Sequence, residues 1–304
     1  MLERISVGEI MRRAWGRGIV IPAFNIAYLP MLEPIARELK RAGTFGLVEV
    51  ARPDVEKFGA ESFARVAREY RRCAEPEWVR LHQDHIPAID EDGLKVDWKA
   101  LIQEALDLGY DSVMIDGSRL PLEENIAVTR SVVELAHARG VAVEAELGAV
   151  LGHEKGPLPP YEELFRTGRG FTRVEEAERF VRETGVDWLS VAVGNIHGAI
   201  SEAARDKKKL QARIEIAHLS KLREATGLPL VLHGGSGIEK SSVLEAIKNG
   251  IAKINIGTEI RQAYESALKM RPGDTAFARE AVTEKVRWMI SEYFGIEGSA
   301  GKLL

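Results

Sequence analysis

Cysteine is almost missing from this chain. Cys73 is the single one in 304 residues, so no intrachain disulfide can form. That suits a reducing compartment. Cys73 lies in a charged helical stretch, and no chemistry is expected of it. Positive charge is not in excess either. The net charge is −4, which argues against nucleic acid and anionic membrane as partners. Lys and Arg are scattered beside acids, as in "REYRRCAEPE", the pattern of a solvated surface. Long apolar runs are lacking, with nothing near the ~18 residues of a membrane span. The N-terminal "MLERISVGEIMRRAWGRG" mixes charges into its apolar positions and has no signal-peptide core. A cytoplasmic protein is expected. No linker, low-complexity run or short-period repeat divides the chain, so residues 1–304 are expected to form one domain.

What is present is a series of short β-rich runs. Eight stand out, at 19–26, 46–51, 78–85, 112–116, 141–147, 188–194, 228–235 and 252–258. They are near-continuously apolar, as parallel strands covered on both faces should be. Helical patterns separate them, such as "MLEPIARELKRAG", "DWKALIQEALDLGYD" and "VEEAERFVRETG", with glycine at or near the point where each pattern stops. Repeated βα units with right-handed crossovers predict an α/β fold, a (β/α)₈ TIM barrel. A doubly wound open sheet is the rival. It fits less well, because polar residues collect at the C-terminal ends of nearly every run and not at one switch point. The longest break, 148–170, is rich in glycine and proline. A loop of that length in a compact domain is usually functional or disordered.

The strand ends carry the candidate chemistry: Asn25, Asp84 with His85, Asp116, Glu144 with Glu146, His197, "HGGSG" from His233, and Asn255 with Thr258. Three of the seven histidines, His85, His197 and His233, stand at ends of separate strands. One such histidine is most often a hydrogen-bonded core residue. Three converging on one barrel mouth fit a catalytic zinc with an open coordination position. His82 is expected to support the site, and His137 to lie on a helix. "GGSG" at 234–237 offers bare backbone N–H groups, and "INIGTE" adds Asn255, the Gly257 amide and the Thr258 hydroxyl. Phosphate sites in barrels often form after strands seven and eight.

These residues, with "PAFNI", "LHQDH", "SVMIDGSRLPLEENI", "VEAELGAVLGHE", "TGVDWLSVAVGNIHG", "LPLVLHGGSGI" and "FGIEGSAGK", resemble the class II, metal-dependent fructose-bisphosphate and tagatose-bisphosphate aldolases over nearly the whole chain. The resemblance implies a zinc barrel enzyme that interconverts a phosphorylated ketose with dihydroxyacetone phosphate and an aldehyde. It implies His85, His197 and His233 as ligands of the catalytic Zn2+, and Asp116 and Glu146 as ligands of a second divalent position. Asp84 would be the acid/base group on the hydroxyl next to the cleaved bond. Glu154 would handle the carbon-bound proton. Gly198, Gly234, Gly235, Ser236, Asn255, Gly257 and Thr258 would hold phosphate, and Asn25 would contact substrate. A monovalent cation, Na+ or K+, and a homodimer or homotetramer are also implied. The rim departs from the family pattern at Ala51 and Arg52, where a serine is common, at Gly257, where many relatives carry an acid or alanine, and at Arg119, where a histidine is common. Those departures bear on which phosphorylated sugar is used. Fructose-1,6-bisphosphate, tagatose-1,6-bisphosphate, an inositol-pathway phosphoketose or another sugar phosphate all stay open. Outside catalysis stands a sugar-phosphate-binding barrel without turnover, disfavoured because a binder needs no proton-transfer pair.

Overall fold

The computed structural model describes residues 5–148, 161–195, 212–234 and 238–304. Eight strands close into an all-parallel barrel in chain order: β1 (Ile21–Asn25), β2 (Gly46–Ala51), β3 (Val79–Pro87), β4 (Ser112–Asp116), β5 (Ala142–Leu147), β6 (Trp188–Val191), β7 (Leu230–Leu232) and β8 (Ile251–Ile256). β8 closes the ring against β1, with Ala23 opposite Asn255. All eight expected strands are present. The expected runs were too long for β6 and β7, whose last residues belong to the loops at the mouth.

Helix α1 (Val7–Arg17) precedes the barrel and seals its floor. Ser6 caps it by accepting the Glu9 N–H at 3.2 Å. Its buried Val7, Ile10, Met11 and Ala14 pack with Ile21, Phe45 and Trp188, residues at the N-terminal ends of strands. Crossover helices join the strands, α2 (Leu32–Arg41), α3 (Arg52–Glu56), α4 (Phe63–Cys73), α5 (Trp98–Leu108), α6 (Leu122–His137), α7 (Tyr161–Thr167), α8 (Val174–Thr184), α9 (Ile216–Thr226) and α10 (Lys240–Lys248), and α11 (Thr258–Met270), α12 (Thr275–Trp288) and α13 (Ala300–Leu303) follow the last strand. Their apolar stripes and the outward faces of the strands make the main core cluster, which is why the strands read as apolar on both faces.

The barrel interior is not filled with aliphatic side chains alone. Alternate residues of several strands place polar groups inside in two tiers. Glu49, His82, Glu144, Trp188 and Lys253 form the lower tier; Glu49 pairs with His82 and Glu144 with Trp188 in strand register. Asp84, Glu146, Ser190 and Asn255 stand two residues further along their strands and form the upper tier, at the mouth. Period-two alternation on the inward face therefore carries lower-tier groups up to the site.

Candidate active site

A regular strand points successive side chains to opposite faces, so Asp84 and His85 could not share a site in one. β3 is not regular there. Its register against β4 runs Gln83 to Val113 and then Ile86 to Ile115, so β3 holds one extra residue between them. The extra residue is a β-bulge, and it turns both side chains toward the mouth. His85 takes φ +40°, a left-handed conformation rare for residues other than glycine. Its N–H meets the Met114 sulfur at 3.4 Å in place of a ladder carbonyl. β3 was expected to end at His85; it resumes after the bulge and runs to Pro87.

His85 and His233 are brought together across the barrel. His85 Nε2 lies 2.7 Å from His233 Nδ1. The Glu144 carboxylate accepts from His233 Nε2 at 2.8 Å. That bond places the His233 proton on Nε2 and leaves Nδ1 a lone pair facing the mouth, the tautomer of a metal-ligating imidazole. Glu144 is itself anchored: it accepts from Trp188 Nε1 at 2.6 Å and from Lys253 Nζ at 2.9 Å. Lys253 also lies 3.1 Å from Glu49, and all three side chains are completely buried. Burial opposes the Glu144 charge, but Lys253 and His233 outweigh it and hold the carboxyl well below its usual range. Asn195, which no sequence pattern singled out, is buried and ties the neighbouring strand ends. Its Nδ2 donates to the His233 carbonyl at 2.8 Å and its Oδ1 accepts from the Val193 N–H.

Asp116 lies 3.7 Å from His85 Nδ1 and accepts from the Ser118 N–H and hydroxyl. Glu146 lies 3.4 Å from His233 Nδ1. Burial, reinforced by the Asp116 charge, pushes Glu146 up to about 8. Burial works against a charge on His85, yet Asp116, Asp84 and Glu146 overcome it and raise the imidazole to about 10. The cluster therefore demands a cation, supplied by a proton on His85 or by a metal in its stead. Its geometry fits a metal: one nitrogen each from His85 and His233 lie within 4.8 Å of one another with an oxygen of the amide-held Asp84 equally near, and one ligating atom each from His85, Asp116 and Glu146 lie as close. The two sets share His85.

Asp84 is gripped from both sides. Asn255 Nδ2 donates to one oxygen at 2.9 Å, and Asn25 Nδ2 to the other at 3.0 Å. Burial would raise Asp84, but the charges of His85 and Lys253 win and bring it to about 2. It is a carboxylate throughout the physiological range.

At the neighbouring strand ends, Gly234 has φ +67° and follows His233. Gly257 caps the thirteen-residue α11, whose first residue is Thr258. The free N–H groups of that helix start are suited to a phosphate. A Cβ on residue 257 would sit 3.2 Å from Asn25 Oδ1, so glycine there leaves Asn25 its place. His197, Glu154, Gly198, Gly235 and Ser236 lie outside the described residues. Arg52 is engaged by Glu56 at 2.6 Å and Asp90 at 3.5 Å; Arg119 is exposed. His82 is buried with Nδ1 2.9 Å from Ser112, and His137 sits on the surface of α6 against Asp187. Burial, with Glu69 nearby, raises Cys73 to about 12, so its thiol is inert at neutral pH.

Comparison with known proteins gives one consistent neighbourhood. The family model described as fructose-bisphosphate aldolase class-II matches residues 5–302. The fructose-bisphosphate aldolase of Streptococcus pyogenes serotype M3 is 41% identical over 271 residues, covering 87% of this chain and 82% of the relative. That of Geobacillus stearothermophilus is 38% identical over 272 residues, covering 88% and 85%. Among solved structures, the YdjI aldolase from Escherichia coli K12 superposes with a TM-score of 0.77 at 28% identity, over 97% of this chain and 98% of that one. The fructose-bisphosphate aldolase of Campylobacter jejuni, at 18% identity, shares the fold with a TM-score of 0.75, over 97% and 96%.

Proposed function

Since the chain belongs to the class II fructose-bisphosphate aldolase family and is thereby an aldolase, a carbon–carbon lyase, we propose that it is a zinc-dependent aldolase of a phosphorylated ketose. The products would be dihydroxyacetone phosphate and an aldehyde, with fructose-1,6-bisphosphate as the first substrate to test. We further read residues 1–304 as one catalytic barrel, acting in the cytoplasm as a homo-oligomer.

The observation that carries this reading is the bulge in β3, which sets a permanent carboxylate, Asp84, beside a metal-type histidine pair, His85 and His233. His85 and His233, with His197, would hold the zinc; Asp116 and Glu146 would serve an adjoining position. Zinc bound there would supply a Lewis acid for the carbonyl oxygen of the ketose. The residues do the rest. Asp84 takes the proton from the hydroxyl on the carbon that becomes the aldehyde. As the C–C bond breaks, its electron pair goes to the carbonyl-bearing fragment. Glu154 would then deliver a proton to that fragment's carbon. Gly234 with Gly198, Gly235 and Ser236 on one side, and Asn255, Gly257 and Thr258 on the other, would bind the phosphate, and Asn25 would orient the substrate hydroxyls. A monovalent cation would complete the phosphate site.

The test is cleavage of a panel of ketose phosphates, followed as triose phosphate release, before and after chelation and again after zinc is restored. Activity should vanish with chelator and return with zinc. Turnover indifferent to chelation would rule out the metal reading, and binding of sugar phosphates with no turnover of any would favour a binding protein.

A further inference from the structure

One buried carboxylate at the mouth has no part in the scheme above. Asp54 is the third residue of α3 and is only 7% exposed. Its Oδ2 accepts from the Ala51 N–H at 2.9 Å and from Asn25 Nδ2 at 3.4 Å. The same Asn25 nitrogen donates to Asp84 at 3.0 Å. A carboxamide nitrogen has two hydrogens, and both are directed here at carboxylates. The amide oxygen cannot take that place, because it would face two acceptors. On the other side of Asp84, Asn255 gives the second grip.

The χ2 torsion of asparagine is soft and roughly two-fold. With Asp84 as sole partner, the Asn25 amide could swing off, or turn its oxygen to the catalytic carboxylate. A second acceptor on the far side removes that freedom. Capping Ala51 alone needs no charge, and burying one is costly; the position of Asp54 is explained by the second bond. We propose that Asp54 is a positioning residue, fixing through Asn25 the orientation in which Asp84 meets the substrate hydroxyl. The inference rests on Asp84 being the acid/base group.

The experiment compares kcat, KM and melting temperature for the wild-type protein, Asp54→Ala, Asp54→Asn, Asn25→Ala and the double variant Asn25→Ala/Asp54→Ala, on whichever ketose phosphate the wild type cleaves. Asp54→Ala should lower kcat about tenfold, the scale of a modest misplacement, and leave KM within about twofold. Asp54→Asn keeps an oxygen acceptor and should recover kcat to within about threefold of wild type. The double variant should be no slower than Asn25→Ala alone, because the two act in series. A folded Asp54→Ala with wild-type kcat, a loss confined to KM, or effects that multiply in the double variant would each overturn the proposal. Should Asp54→Ala fail to melt cooperatively, Asp54→Ser keeps an oxygen for the Ala51 N–H while falling short of Asn25, and the same criteria apply. An active Asp84→Ala would instead sink the acid/base assignment, separately from the role of Asp54.

Discussion

Asp84 sits between two carboxamides and beside a cation-demanding cluster, so its neighbours keep it ionised and aimed. Replacing it with alanine should leave zinc binding in place and reduce turnover by at least ~10²-fold, the scale of one acid/base group. Zinc content by metal analysis and kcat by triose phosphate release check both halves. Asp54 differs in kind. Burial raises it from 3.8 to about 6, against the help of the Ala51 N–H and Asn25 and with Asp84 repelling it. Between those two values the folded protein binds a proton that the unfolded chain has lost. Stability therefore falls as pH rises through that window, and above it the ionised side chain costs on the order of 3 kcal/mol. Asp54→Asn is neutral at every pH. Its melting temperature should exceed that of the wild type by a margin that grows from about pH 4 to about pH 7 and then levels off; a constant margin across that window would show that the charge is not desolvated as described.

At the scale of elements, the bulge in β3 and the inward row of β5 divide the labour. The bulge gives two adjacent residues one direction. The row of β5 places Glu144 beneath His233 and Glu146 beside it, two residues apart on one face. A histidine ligand whose far nitrogen loses its carboxylate partner typically gives up 10–100-fold in metal affinity. Glu144→Gln should therefore weaken zinc binding by about that factor in a competition titration with a chromophoric chelator. Wild-type affinity would remove Glu144 from its supporting role. α11 contributes its N-terminus to the mouth, and α3 contributes Asp54. Both follow directly from strand ends, β8 and β2, so the loops that could blur their position are very short.

For the molecule as a whole, the barrel trades aliphatic filling for a buried polar tier. Lys253 from β8 balances the charge of Glu144 from β5 at 2.9 Å and lies 3.1 Å from Glu49 of β2, whose carboxyl is held well above its usual range by burial and the Asp84 charge; all three side chains are fully buried. Removing the cation alone leaves the buried Glu144 carboxylate without its main counter-charge. Lys253→Met should cost about 3–5 kcal/mol of unfolding free energy in urea denaturation, as expected for breaking a buried pair one-sidedly. A loss under about 1 kcal/mol, the scale of an exposed pair, would mean that water reaches the tier. α1 packs on the floor, and the candidate site lies at the opposite end, where the C-terminal ends of the strands gather. Among the described residues no helix is long and apolar enough to cross a membrane.

The eight β-rich runs, the helices between them and the gathering of Asp, Glu, Asn and His at strand ends were legible in the sequence, because a parallel barrel needs apolar strands at helix-length spacing and collects its polar residues at one end. His85 and His233 could be grouped from their places at strand ends, whereas the bond from Asn255 to Asp84 emerged only in the fold. The tertiary structure decided what no local pattern encodes. The sequence "LHQDHIP" does not announce a bulge, since the extra residue exists only relative to the register of β4. Lys253 and Glu49 read as interruptions of apolar strands until their strands meet inside the barrel. Asp54 reads as a loop acid until α3 folds it back onto Ala51 and Asn25. Composition and periodicity are properties along the chain, whereas partnership across the barrel depends on closure, which sets side chains from distant strands within hydrogen-bonding distance.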